Sequence, residues 1–176
     1  MKLLAAILFT RAALGQLYFK LSANGSDNQS SRFSTATFIP HIYWSDADYI
    51  GFIPYYGTPA VLFVDPDGYL GDGYALQALQ QGIWALTFAS QRDITGPFNI
   101  NNSTGEFTYV SEREGDFQWV LCPYQPPRYI GLPADPTFTP KPPTVFRIAL
   151  KERTADLGVC LSGYKLIATP WTWPED

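Results

Sequence analysis

Ala60-Val61-Leu62-Phe63-Val64-Asp65-Pro66-Asp67-Gly68-Tyr69-Leu70 is the stretch on which the fold class turns. Two apolar runs flank a four-residue turn in which three residues have a physical reason to be there. Pro66 presets φ at the first corner, the Asp65 carboxylate caps N–H groups of the turn, and Gly68 accepts a positive φ. With apolar residues on both sides, the segment is expected to be a β-hairpin.

The same period of two recurs outward from this hairpin. Leu17, Phe19 and Leu21 alternate with Tyr18, Lys20 and Ser22, the pattern of a half-buried strand. Residues 24–31 read as a polar loop. Strands are expected at residues 49–53, 60–64 and 83–88, the first two separated by Pro54, Gly57 and Pro59. Phe107 and Tyr109, then Phe117, Trp119 and Leu121, resume the alternation around a turn at Gly115-Asp116. Phe146, Ile148 and Leu150 are expected to face inward, with Arg147 and Lys151 facing out, before a last strand at residues 164–168. Residues 74–81 are the sole helical candidate, short and flanked by glycines. Residues 123–143 are rich in proline, whose missing N–H groups forbid a central strand, so an extended surface loop is expected there. The sum is one all-β domain over residues 16–176. It has about eight to ten short, mostly antiparallel strands in a closed barrel or a sandwich.

Residues 1–15 have the plan of a secretory signal peptide: Lys2 precedes a short apolar run, and small Ala13 and Gly15 precede the expected cleavage before Gln16. The run is shorter than the roughly 20 residues a spanning helix needs, so no membrane insertion is expected. Loss of Lys2 and Arg11 lowers Lys plus Arg from 12 to 10 against 16 acidic residues and moves the net charge from −4 to −6. An acidic chain with scattered cations has no footprint for nucleic acid. Behind a signal peptide, the only two cysteines, Cys122 and Cys160, are expected to form a disulfide. Closing that loop contributes about 4 kcal/mol in the chain-entropy model. N-glycosylation acceptors occur at Asn24, Asn28, Asn101 and Asn102.

Imidazole catalysis has only His41 to draw on, and no Gly-x-Ser-x-Gly turn exists to place a nucleophile. Two thiols and one histidine fall short of the four ligands of a structural zinc site. The carboxylates fall mostly in turns, where acids are expected in any case. No catalytic residue, metal or cofactor is therefore expected. Carbohydrate binding has better candidates, since exposed aromatic faces stack on sugar rings: Tyr55 and Tyr56 in a loop, and Trp171 and Trp173 between Pro170 and Pro174. The two tryptophans project to one side of an extended chain, either as a clamp for the C-terminus or as a ligand platform.

Several segments, in order, resemble the fungal cell-wall PhiA family and its secreted relatives, including elicitors of a plant hypersensitive response. They are the hairpin at residues 60–70, Phe117-Gln118-Trp119-Val120-Leu121-Cys122-Pro123, Val145-Phe146-Arg147-Ile148, and Cys160-Leu161-Ser162-Gly163-Tyr164-Lys165-Leu166. The proline-rich insert and Ser162, where the family favours glycine, are departures. The resemblance implies an extracellular or wall location, glycosylation, a role in wall formation or host perception, and no catalytic residues. The expected function is that of a non-enzymatic secreted surface protein, with a carbohydrate-binding module as the alternative. Its partner would be a wall polysaccharide or a host surface component. Intact mass with and without reductant checks the cysteines: alkylation is expected only after reduction, and two free thiols in the native protein would overturn the compartment argument.

Overall fold

The structure, a computed structural model, describes residues 17–25, 33–39, 47–52, 58–71, 73–89, 93–112, 115–124 and 145–172. Among these are eleven strands and no α-helix: β1 (Leu17–Gly25), β2 (Thr37–Ile39), β3 (Ala47–Phe52), β4 (Val61–Val64), β5 (Tyr74–Gln80), β6 (Ile83–Ala89), β7 (Phe98–Ile100), β8 (Glu106–Tyr109), β9 (Phe117–Tyr124), β10 (Val145–Glu152) and β11 (Tyr164–Pro170). The signal peptide and most of the proline-rich stretch lie outside the described residues.

A five-stranded sheet runs β4-β1-β11-β8-β7, and a six-stranded sheet runs β2-β3-β10-β6-β5 with β9 also on β10. Strand β10 is the hub of the second sheet. Strand β9 pairs with it from Val145 to Glu152. On the other side, β3 takes Phe146 and Arg147 while β6 takes Ala149 to Lys151. Beyond that fork, β3 and β6 pair with each other. The five-stranded sheet curls until its two ends almost meet. Phe98 N–H donates to the Gly68 carbonyl at 2.6 Å, and Leu70 N–H donates to Thr95 at 2.7 Å. These are single bonds, not a ladder. The molecule is thus two packed sheets, one curled into a half barrel, and not a closed barrel.

The layer between the sheets is apolar. Phe19, Leu21, Leu62, Phe107 and Leu166 enter it from one side; Ile50, Phe52, Leu76, Leu86, Leu121 and Ile148 enter from the other, all essentially without exposure. Trp119 crosses this layer from β9. Its ring lies 5.5 Å from Phe107 and 6.3 Å from Phe98, nearly parallel to both, and its Nε1–H donates to the Phe107 carbonyl at 2.8 Å. The expected hairpin turn is present. Asp65 Oδ1 accepts N–H bonds from Asp67 and Tyr69, both at 2.9 Å, and Gly68 has φ 92°. Its return arm is only a bridge at Leu70, because β4 has its long partner in β1.

The eleven strands among the described residues exceed the about eight to ten expected, because short pieces such as β2 and β7 are three residues long and too brief to show alternation. Four further expectations need correction. Residues 74–80 are strand β5, not a helix: β6 supplies a ladder from Tyr74 to Gln80, outweighing the helix preference of the Ala-Leu-Gln composition. Strand β1 runs through Asn24 to Gly25, so the polar loop starts later than residue 24. Pro123 and Tyr124 belong to β9, paired with Phe146 and Val145. Leu121 bonds outward to Leu161, so Pro123, two residues on, also turns its nitrogen to the outer edge, where a missing N–H interrupts nothing. Lys151 does not face water. It is 3% exposed, on a second covered face of the six-stranded sheet with Ile83, Val120, Cys122 and Ala149. The cover comes from Ala155, Leu157 and Cys160 in the segment after β10, which the Cys122–Cys160 disulfide ties to β9. The Lys151 ammonium donates to the carbonyls of Glu152 at 2.7 Å and Arg153 at 3.4 Å.

Trp119 gives the sharpest test of this packing. Trp119→Ala is expected to cost about 3–5 kcal/mol. Trp119→Phe, which keeps a smaller stacked ring and loses the bond to Phe107, is expected to cost less, about 1–3 kcal/mol. At roughly 2–4 °C per kcal/mol for a chain of this size, thermal melts separate the two variants. Melting of Trp119→Phe at the wild-type temperature would show that the indole N–H contributes nothing, and equal melting of the two variants would show that the stacked ring contributes nothing.

Candidate functional site

Alternation along β1 sends Phe19, Leu21 and Ala23 into the core and Tyr18, Lys20, Ser22 and Asn24 to the outer face of the five-stranded sheet. Register then decides which side chains share that face. Tyr18 lies opposite Phe63 on β4, and Lys20 lies between Val61 and Thr169. The β1–β11 ladder continues past Pro170, because Trp171 N–H donates to the Tyr18 carbonyl at 2.9 Å. Residues of β11 facing β1 alternate with those facing β8, so the Pro170 nitrogen points away from β1 and the ladder tolerates it. Trp171 consequently lands beside Tyr18.

The result is a cross-strand row of Phe63, Tyr18 and Trp171. The Tyr18 and Phe63 ring centres are 5.5 Å apart. Phe63 is nearly buried and forms the floor of the row; a Cβ on Gly71 would run into its ring. Tyr18 and Trp171 are half-buried, and the Lys20 ammonium sits 3.4 Å from the centre of the Trp171 ring. Further along the same face, Lys165 and Glu106 form an exposed ion pair at 3.1 Å. Exposed pairs of this kind contribute little to stability. Chemically, the row offers apolar ring edges and one ammonium, a combination suited to the mixed polar and apolar surface of a sugar. Lys20 already covers one face of the indole, and the Trp171 N–H bond to Tyr18 ties the end of β11 to β1, the geometry expected of a clamp.

Of the residues nominated from sequence, only Trp171 joins this cluster. Tyr55, Tyr56, Trp173, Asn28 and His41 lie outside the described residues. Asn24 is exposed on β1, opposite Lys165. Asn101 and Asn102 are exposed in the turn from β7 to β8. There Asn101 Oδ1 accepts bonds from Ser103 N at 2.9 Å, Ser103 Oγ at 2.7 Å and Thr104 N at 3.1 Å, so Asn101 shapes the turn while Asn102 stands beside it. Several carboxylates have local structural work. Asp65 caps its turn, Asp93 accepts Ala78 N–H at 2.8 Å, and Asp156 accepts Gly158 N–H at 3.0 Å. Among the described residues, no three His, Cys, Asp or Glu side chains converge on a point. Sequence reading missed Lys20, Tyr18 and Phe63 as partners of Trp171. Their alternation was visible, but only the register of β4, β1 and β11 brings them together.

The clamp is tested by two substitutions. Trp171→Ala is expected to lower the melting temperature by several degrees. Lys20→Met keeps an apolar stem over the ring and loses only the cation–π contact, about 0.5–1 kcal/mol. If both melt like wild type while a polysaccharide ligand is lost, the row is a platform and not a clamp. No family model matches the chain, and no curated protein or solved structure is found to be similar to it.

Proposed function

We propose that this protein is a secreted, non-catalytic surface protein, held at a cell wall or presented to a host, and stabilised for life outside the cell by its disulfide. The observation that carries this reading is the Cys122–Cys160 bond. Such a crosslink persists in oxidising compartments and is rare in reducing ones. It closes 38 residues of separation and fastens the segment after β10 over an otherwise open apolar face, so the fold uses it structurally. No helix among the described residues is long and apolar enough to cross a membrane. Asp65, Asp93 and Asp156 are each engaged by backbone N–H groups, which favours structural work over acid–base chemistry for these three.

A second reading, a carbohydrate-binding module, is favoured by one observation: the half-buried row of Tyr18 and Trp171 with Lys20 beside it, on the outer face of a β-sheet. The two readings separate in one experiment. Expressed with its own leader, the protein is expected in the medium, beginning at Gln16 and carrying N-glycan. Incubated with insoluble chitin, β-glucan and mannan, it is expected to stay in the supernatant under the first reading. Retention on one polymer, abolished by Trp171→Ala, would promote the second. Protein kept inside the cell with reduced thiols would overturn both.

A further inference from the structure

The covered face of the six-stranded sheet holds a cation whose surroundings the reading above leaves unexplained. Arg147 sits mid-strand in β10, opposite Gly51 on β3 and Cys122 on β9. Gly51 has no side chain, and a Cβ there would run into the Phe146 carbonyl, so β3 passes β10 closely and leaves the space above it to Arg147. Tyr49, two residues along β3, and Tyr124, two residues along β9, close on the guanidinium from both flanks. Its central carbon is 4.8 Å from the Tyr49 ring centre and 4.7 Å from that of Tyr124. The rings are 5.2 Å apart and set at 66°, so the guanidinium is lodged in an aromatic corner.

Aromatic contact offsets only part of the desolvation of a cation; its in-plane N–H groups still call for acceptors. Among the described residues, Arg147 has no carboxylate within ion-pair distance, and its Nε is sealed from solvent without a hydrogen-bond partner. The residue as a whole is only part-buried, which leaves it a side open to a ligand. The other buried cation of this face, Lys151, is engaged by two backbone carbonyls. Arg147 is the exception. It is held firmly by rings, and its planar donors match a bidentate oxyanion.

We propose that Arg147, with Tyr49 and Tyr124, forms a binding site for the carboxylate of a ligand that also has an apolar body. One guanidinium balances one negative charge, which suits a carboxylate better than a phosphate dianion. The rings give the rest of the ligand an apolar wall. Burial, first, and then the neighbouring Tyr49 phenol hold the Tyr124 hydroxyl above the ordinary tyrosine pKa, against the pull of Arg147. The Tyr124 hydroxyl oxygen and the Arg147 Nε are both shut off from solvent, which strengthens a charge-assisted hydrogen bond made beside them. The carboxylate could come from a uronic acid unit of an acidic glycan or from a small organic acid; the chemistry is shared. The site lies on a different sheet from the Trp171 row and stands whether or not the secreted-surface reading holds.

The test is titration of the intact, oxidised protein with acetate, benzoate, glucuronate, oligogalacturonate, glucose and inorganic phosphate. It is followed by the Arg147 Nε–Hε NMR signal and by tyrosine difference absorbance. Saturable shifts of both signals are expected with benzoate and the uronates, weaker ones with acetate, and none with glucose. Oligogalacturonate above benzoate identifies the glycan source, and the reverse identifies the small acid. Arg147→Lys keeps the charge and loses the fork, and it is expected to weaken the best ligand by about tenfold or more. Lys165→Gln, which removes an exposed cation on the other sheet, is expected to bind like wild type. No saturable shift in the wild-type protein, equal binding by folded Arg147→Lys, or phosphate matching the carboxylates would each overturn the proposal. The wild-type NMR signal decides even if the lysine variant does not fold.

Discussion

The Trp119 indole carries the contact on which both sheets depend. A layer between two sheets must be dry to contribute hydrophobic free energy, yet anything bridging it brings polar atoms along. Trp119 resolves this by stacking on Phe107 and Phe98 while giving its one N–H to the Phe107 carbonyl. Ring and hydrogen bond converge on the same residue of β8. That fixes β9 against the five-stranded sheet in translation and in orientation, and β9 in turn runs the full length of β10. The fork of β3 and β6 about β10 follows from there, because β10 needs a second neighbour and neither strand alone covers it.

A sheet buried on one face would need nothing more. This six-stranded sheet is covered on both, which changes what its side chains can be. On the second face, positions at the crossing of β6, β9 and β10 are Ala85, Ala149, Val120 and Ile83, small or branched and almost without exposure. The segment after β10 packs Ala155 and Leu157 onto them, and the disulfide holds it there. Short irregular segments lack a ladder of their own, so a crosslink is an effective way to keep one seated. Lys151 joins the arrangement by donating to the Glu152 and Arg153 carbonyls, where the chain leaves β10, so its buried ammonium has acceptors.

The edges are managed with the same economy. Exposed edge strands invite pairing with other chains. Leu161 covers β9 with a pair of bonds to Leu121, and Ile94 does the same for β5 at Leu76. Thr58 bonds to Phe38 on β2, and Gly71 bonds to Phe63 on β4. Each cover is one or two residues long, yet each removes the free groups most able to recruit a neighbour. With these edges covered, the side chains on the sheet faces are left as the surface for recognition, and the Trp171 row and the Arg147 corner both lie there.

Features that depend on a few consecutive residues were legible in the chain itself. The Asp65-Pro66-Asp67-Gly68 turn, the alternation in β1, β8 and β9, the all-β class and the pairing of the only two cysteines are of this kind. Each rests on local backbone preference or on simple elimination. Whatever depends on what lies across a strand was not. Residues 74–80 look helical by composition, and only the ladder offered by β6 makes them β5. Lys151 looks solvent-facing because an alternating strand implies one wet face, and only the strapped segment makes that face dry. Trp171 could be recognised as an aromatic near a chain end, but its neighbours Tyr18 and Lys20 come from the opposite end of the chain. Arg147 read as an ordinary outward cation until β3 and β9 brought Tyr49 and Tyr124 against it. The physical reason is common to all four: alternation tells which side chains share a face of one strand, while cover and neighbours are set by register between strands distant in sequence, which no local pattern encodes.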